Sequence, residues 1–220
     1  MSVLVLVELD GVEPADASLR ALTLARSLGD TSVRTVVFGD AAQVPAVALA
    51  NYGVSDVYVI EPAAVALAGG LGGVVPPGQN CYAPQAWART LAGLATETGA
   101  TAVLAAGTDR GNEVLAHLGA ITALPMAANC TIVTPDGGQT HRLVRHRWAG
   151  LLLEEAVMEA PVALFTVATD SVAPVSAETP AAVQVHVHKP ELGEDDLRVR
   201  AVESPAGAGG ASLATARVVV

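Results

Sequence analysis

Aromatic side chains make up only 3% of this 220-residue sequence, and charged residues only 15%. So little charge excludes a disordered, charge-driven chain, and the 51% hydrophobic content is enough to bury a sizeable core. Few rings, with Ala, Val, Leu and Gly dominant, favour helix-on-sheet layers in which small side chains let elements approach closely, and argue against an all-β fold. Basic residues are outnumbered as well: 12 Lys and Arg face 22 Asp and Glu, for a formal net charge of -10. That balance argues against a nucleic-acid partner and disfavours anionic membranes. Cysteine is nearly missing. Cys81 and Cys130 stand far apart with no Cys or His at zinc spacing, so neither a disulfide framework nor a structural metal site is expected, and a reducing, cytoplasmic setting fits. There is no long unbroken apolar run. "MSVLVLVELDG" has no cationic lead and is closed by Glu8 and Asp10, which makes it a strand rather than a signal peptide, and the uncharged stretch "PAAVALAGGLGGVVPPGQNCYAPQAWA" is interrupted by Gly and Pro.

What the sequence does contain is alternation. "SVLVLVEL" reads as a buried strand, and "PADASLRALTLARSLG" as a helix carrying Leu19, Leu22 and Leu28 and ended by Gly29. "SVRTVVFG" is a second strand, "AQVPAVALANYG" a short helix with Pro45 near its first turn, and "DVYVIE" a third strand. A loop of roughly twenty residues precedes the helix "APQAWARTLAGLATETG" and the strand "TAVLAAG". "GNEVLAHLGAIT" is then a helix with Val114, Leu115, Leu118 and Ile121 on one face. Repeated βα units with wholly apolar strands predict a parallel sheet covered on both faces. From residue 126 the pattern changes to strands around the turn signal Pro135-Asp136-Gly137-Gly138, followed by "APVALFTVAT", so antiparallel pairing is expected in the C-terminal half. The remainder reads as an extended segment leaving the domain, with "SPAGAGG" as a linker.

In an open parallel sheet, ligands bind beyond the C-terminal strand ends. The richest loop there is "GTDRGNE": Thr108 or Asp109 caps the next helix, Gly107 and Gly111 allow close backbone approach, and free N–H groups with Arg110 offer an anion site. A plain capped helix start explains the same residues. "HRLVRHRW" places Arg145 and Arg147 on one strand face and Arg142 and His146 on the other, as a charge-protected edge strand or as a contact for a partner's acidic patch or a phosphate. His186 and His188 share a face, but no third metal ligand is evident, and they read as exposed strand histidines. Glu154 and Glu155 point to opposite faces and form no carboxylate dyad. No catalytic constellation and no metal site is identified.

The segments "VLVLVE", "ARSLG", "ANYGVSDVYV", "GTDRGNEVLAHLGAITALPMAANC", "RHRWAGLLLEEA" and "PVALFTVAT" together resemble the N-terminal domain of the electron transfer flavoprotein alpha subunit, over essentially residues 1–205. The final "SLATARVVV" resembles the lead-in to that family's second domain. The resemblance implies an α/β three-layer sandwich of the adenine-nucleotide hydrolase type, Rossmann-like, over 1–204. Residues 205–220 would be a linker and the truncated start of an FAD-binding domain otherwise missing here. It further implies a heterodimer with a beta subunit that holds AMP, passing electrons from flavin dehydrogenases to a membrane-bound quinone reductase or another acceptor. FAD would be held mostly by the absent domain and not by this chain alone, which is then a scaffold rather than a catalyst. By the same resemblance Thr108, Gly111 and Asn112 mark a relic nucleotide pocket, usually empty in the alpha subunit. Two departures are Ala168, where the family often has an arginine, and a glycine-rich insertion over 67–79. The alternative is a stand-alone adenine-nucleotide-binding module with a pocket formed by Glu8, Gly39 and the loop Gly107 to Asn112, including Arg110. A nucleotide hydrolase ranks last, because no general base or metal cluster is visible.

Overall fold

The computed structural model describes residues 2–29, 32–68 and 82–201. Strand β1, Ser2–Val7, is buried at all six positions. Val3, Val5 and Val7 enter one hydrophobic cluster while Leu4 and Leu6 enter another, so the strand's two-residue period feeds a core on each side of the sheet. A small hairpin of β2 (Leu9–Asp10) and β3 (Glu13–Pro14) follows, and then helix α1, Asp16–Arg26. Strand β4, Ser32–Phe38, a 3-10 turn Ala41–Gln43, helix α2 Ala46–Ala50 and strand β5 Val54–Ile60 complete the first half. Helix α3, Pro62–Ala68, occupies the start of the predicted long loop, where Glu61 accepts the first helical amides from Ala64 and Val65.

Helix α4, Pro84–Thr98, has proline in its first turn, where no amide is needed, and stops at Gly99 with φ 62°. Strand β6, Ala100–Ala106, and helix α5, Asp109–Thr122, follow. The predicted face of α5 is the packed one: Val114, Leu115 and Leu118 are fully buried, and Ile121 is partly so. Strands β7 (Met126–Pro135), β8 (Thr140–Arg147) and β9 (Leu152–Glu159) form an antiparallel ribbon; β10 (Ala163–Val167) and β11 (Gln184–Val187) are parallel to their neighbours. The nine strands run in the order β11-β5-β4-β1-β6-β10-β7-β8-β9. Helices α1 and α2 bring Leu22, Ala25 and Leu49 to one face, and α4 and α5 bring Leu91, Leu94 and Leu115 to the other. The fold is thus α/β, with a mostly parallel sheet and antiparallel strands in the C-terminal half. Among the described residues no helix is long and apolar enough to cross a membrane.

Three expectations need correction. The basic strand "HRLVRHRW" is β8, which lies inside the ribbon, and the sheet's edge is β9. Arg145 and Arg147 do share a face, because both reach Glu154 on β9 at 2.9 and 3.3 Å. The segment after β10 does not leave the domain. It crosses α1, where Arg20 and Arg26 donate to the carbonyls of Val172 and Val175, and passes α2, where Ala177 and Ala181 donate to Asn51 and Ala50. As β11 it then extends the sheet beside β5, and it crosses α4 to Ala201, whose amide donates to Tyr82. His186 and His188 are accordingly half-buried rather than exposed strand histidines. His186 Nε2 lies 3.0 Å from Asp56, and His188 lies 3.9 Å from Glu97. The expected insertion beyond residue 68, Cys81 and the tail 205–220 lie outside the described residues. Cys130 is buried, and burial pushes its thiol up to about 12 against the opposing charge of Arg145.

Phe165 of β10 is fully buried, and its replacement by Ala should cost about 3–5 kcal/mol in urea unfolding. Asp56 provides a pH test. Burial works to raise its pKa, but hydrogen bonds from His186 and Ser55 and the charge of Arg34 outweigh that and hold it below the ordinary 3.8. A depressed carboxyl contributes stability above its unfolded pKa and loses it as pH falls through the folded value. Asp56→Asn should therefore destabilise the protein at neutral pH, with a penalty that shrinks towards zero as pH drops below about 4.

Candidate functional site

Chain order from β1 runs outward through β4 and β5, then returns to place β6 on the other side of β1. This reversal opens a crevice beyond the C-terminal ends of β1 and β6, the position where open α/β sheets take ligands. Glu8 follows β1 directly, and Gly107 and Thr108 follow β6. The Thr108 hydroxyl accepts the Gly111 amide at 2.9 Å, capping α5, and donates its proton to the Glu8 carboxylate. Glu8 is held in turn by its amide, which donates to the Ser18 hydroxyl at 2.9 Å, and by its carbonyl, which accepts from Ala15. The positive end of the α5 dipole therefore faces two carboxylates of the chain itself, Glu8 and Asp109 in the first turn.

The glycines of this loop answer to packing. A Cβ on Gly111 would lie 2.0 Å from the Ala106 carbonyl oxygen, and one on Gly107 would lie 2.6 Å from Asn129 Oδ1 and 2.8 Å from the Val167 carbonyl oxygen. The Gly107 amide donates to Val167 at 2.7 Å, and the Asn112 amide to Thr108. The Asn112 side chain turns inward: its Oδ1 accepts the Thr166 hydroxyl at 2.7 Å, and that hydroxyl accepts the Asn129 amide at 2.9 Å. Gly39, at the end of β4, donates to Ile60, and only ordinary contacts with Leu9 and Val37 surround it.

Arg110 takes a different direction. Its guanidinium carbon stands 4.8 Å from the Tyr82 ring centroid and 5.7 Å from that of Trp87. Trp87 stacks on Phe38 at 3.9 Å and meets Tyr82 edge to face at 5.0 Å. The Tyr82 hydroxyl donates to Glu113. Burial, the Glu113 hydrogen bond and the Glu113 and Glu8 charges all raise the Tyr82 pKa, so the phenol stays protonated at neutral pH. The structure thus joins Glu8, Thr108 and Gly111 in one hydrogen-bonded unit, ties Asn112 to the strands beneath it, and sends Arg110 to an aromatic cluster. Phe38, Tyr82, Trp87, Glu113, Asn129 and Thr166 belong to the same edge and were not singled out by sequence. Three of the seven aromatic residues of the chain meet here, and in so ring-poor a sequence that concentration was the available signal. Asn129 has φ 57°, a left-handed conformation that Asn tolerates better than most side chains, within a stretch that reads only as strand. Among the described residues no group of three or more His, Cys, Asp or Glu could hold a metal ion.

A family model described as "Electron transfer flavoprotein domain" matches residues 3–195 of the chain. No match was found among curated proteins.

Because the Gly111 contact is with backbone, no side-chain rotation can relieve it. Gly111→Ala should lower stability by about 1–3 kcal/mol or more, and thermal unfolding will measure it. Glu8→Gln keeps an acceptor for Thr108 but removes the charge at the helix terminus, and should cost about 0.3–1 kcal/mol in the same assay.

Proposed function

The chain belongs to the electron transfer flavoprotein domain family, and from that premise we propose that it is the N-terminal scaffold domain of an alpha subunit. In this reading it assembles with a beta subunit. The complete complex carries electrons from flavin dehydrogenases to a respiratory acceptor such as a quinone reductase, and the chain by itself catalyses nothing. The alpha assignment rests on the resemblance of the blocks at 107–130, 145–156 and 161–169 to that subunit.

The observation that carries the scaffold role is the carboxylate of Glu8 at the N-terminus of α5. A phosphate or pyrophosphate at that terminus would find the Gly111 amide already engaged by Thr108, and would sit against the charges of Glu8 and Asp109. Arg110, the one cation of the loop, is turned to Tyr82 and Trp87. These residues do not fit the phosphate of AMP or the pyrophosphate of FAD, and in our reading the AMP belongs to the beta subunit and the flavin to a domain outside residues 1–204. The stand-alone nucleotide module has no comparable observation in its favour.

Mixed with the beta subunit, the chain should elute from a size-exclusion column as a stable complex. Titrated alone with AMP, ADP or ATP in a calorimeter, it should give no saturable heat. Failure to form any complex would sink the scaffold reading, and tight AMP binding abolished by Gly111→Trp would replace it with the nucleotide module.

A further inference from the structure

A cavity of about 370 Å³ lies at the opposite edge of the sheet from the crevice, at the N-terminal ends of β1, β6 and β10. Its floor is core: Val3, Leu28 and Ala102 line it, all buried and all in the cluster on the α1 side. Its roof is the turn between β7 and β8, where Gly137 and Gly138 take φ 88° and 57° and a Cβ on either would meet nothing within 4 Å. The turn is held in place by main-chain bonds. The Asp136 amide donates to Thr140 at 2.9 Å, the Thr140 amide to Gly137 at 3.1 Å, and the Ala160 amide, just before β10, to Gln139 at 3.1 Å. The shape of the cavity is therefore set by a hydrogen-bonded turn over a packed floor, and a ligand would find it already formed.

The lining selects what fits. Among the described residues no carboxylate, lysine or arginine lines the cavity, although the chain carries a net charge of -10. His141 of β8 is the titratable side chain there, and its ring meets Phe165 edge to face at 5.4 Å. Burial lowers the pKa of this imidazole, with the Gln139 backbone opposing to a lesser degree, so the ring is neutral at neutral pH. An ion entering the cavity would lose water and gain no counter-charge. His141 Nδ1 is also buried with no hydrogen-bond partner among the described residues. A buried polar atom left in that state costs stability, and a ligand hydroxyl would relieve it. The other walls are flat and apolar, with the rings of Pro135 and Pro161 beside the bare peptides of the two glycines. An apolar cavity of about 150 Å³ holds one benzene ring. This one is more than twice that size and has room for two rings.

We propose that the cavity binds a neutral two-ring aromatic molecule carrying a single hydroxyl, its rings between the Leu28 floor and the Gly137–Gly138 roof and its hydroxyl on the His141 imidazole. Such a ligand ties the β7–β8 turn to the end of α1 and to the start of the parallel strands, and so stabilises the folded chain. The site is separate from the crevice at Glu8 and Thr108, and the inference does not depend on which subunit the chain represents.

Thermal unfolding of the chain at pH 7 with 2-naphthol as probe should show a Tm that rises with probe concentration. Amide NMR signals of Gly137, Gly138 and Ala160 should move on titration, while those of Gly107 and Gly111 at the other edge should not. Naphthalene, which lacks the hydroxyl, should bind about fivefold more weakly, and 2-naphthoate, charged at this pH, should not bind. His141→Phe keeps a ring beside Phe165 and should erase the preference for 2-naphthol over naphthalene. Leu28→Trp, which adds volume at the floor, should abolish binding of both, with circular dichroism confirming that each variant is folded. The signal map and the three-probe series need no variant. No saturable binding of 2-naphthol, shifts confined to residues outside the cavity, equal binding of 2-naphthoate, or a 2-naphthol preference that survives His141→Phe would each overturn the site and leave the scaffold reading untouched.

Discussion

The central strands of this sheet have two faces to keep from water, and almost everything else follows from that demand. β1 has no exposed position, so its odd residues need α1 and α2 on one side and its even residues need α4 and α5 on the other. With so few large side chains available, closure depends on close approach: alanines line the packed faces of α1 and α4, and Gly111 lets the start of α5 come down on the end of β6. The sheet stays two-sided until β7, where the helices stop. The ribbon beyond keeps Val133 and Leu143 in the core on the α1 side and leaves Ile132, Leu153 and Val157 exposed on the other.

The crevice edge shows how the demand for close packing limits chemistry. Bringing the α5 terminus against β6 leaves no room for a side chain at Gly111, and the Gly111 amide is capped by Thr108, itself tied to Glu8. The carboxylate of Glu8, which follows β1, thus sets negative charge beside the positive end of the α5 dipole.

Much of this was legible along the chain because it is local. The βα alternation, the buried character of the parallel strands, the face of α5, the Pro135–Gly138 turn and the opposed directions of Glu154 and Glu155 all follow from periodicity and turn chemistry within a few residues. What escaped depends on distant partners. β11 looks like tail until β5 offers an open edge beside it, and β8 looks like an edge until β9 covers it. Asn129 looks like an ordinary strand residue until Thr166 and the backbone at Gly107 require its left-handed turn. Arg110 reads as an anion ligand from its loop, but the rings that draw it away come from residues 82 and 87 and from the end of β4.

The segment that wraps the domain after β10 also sets a sequence of events in time. Its anchors are about 150 residues apart in the chain, linking Arg20 to Val172 and Thr23 to Val175, and its strand pairs with the side of β5 opposite β4. Long loops of this kind close late, since their entropy is lost before their contacts form. During synthesis the first βα units must therefore hold together with the outer side of β5 uncovered until residues near 187 emerge. In that interval β5 is an open template for strand pairing, and the nascent domain's main hazard lies at the margin opposite the ribbon.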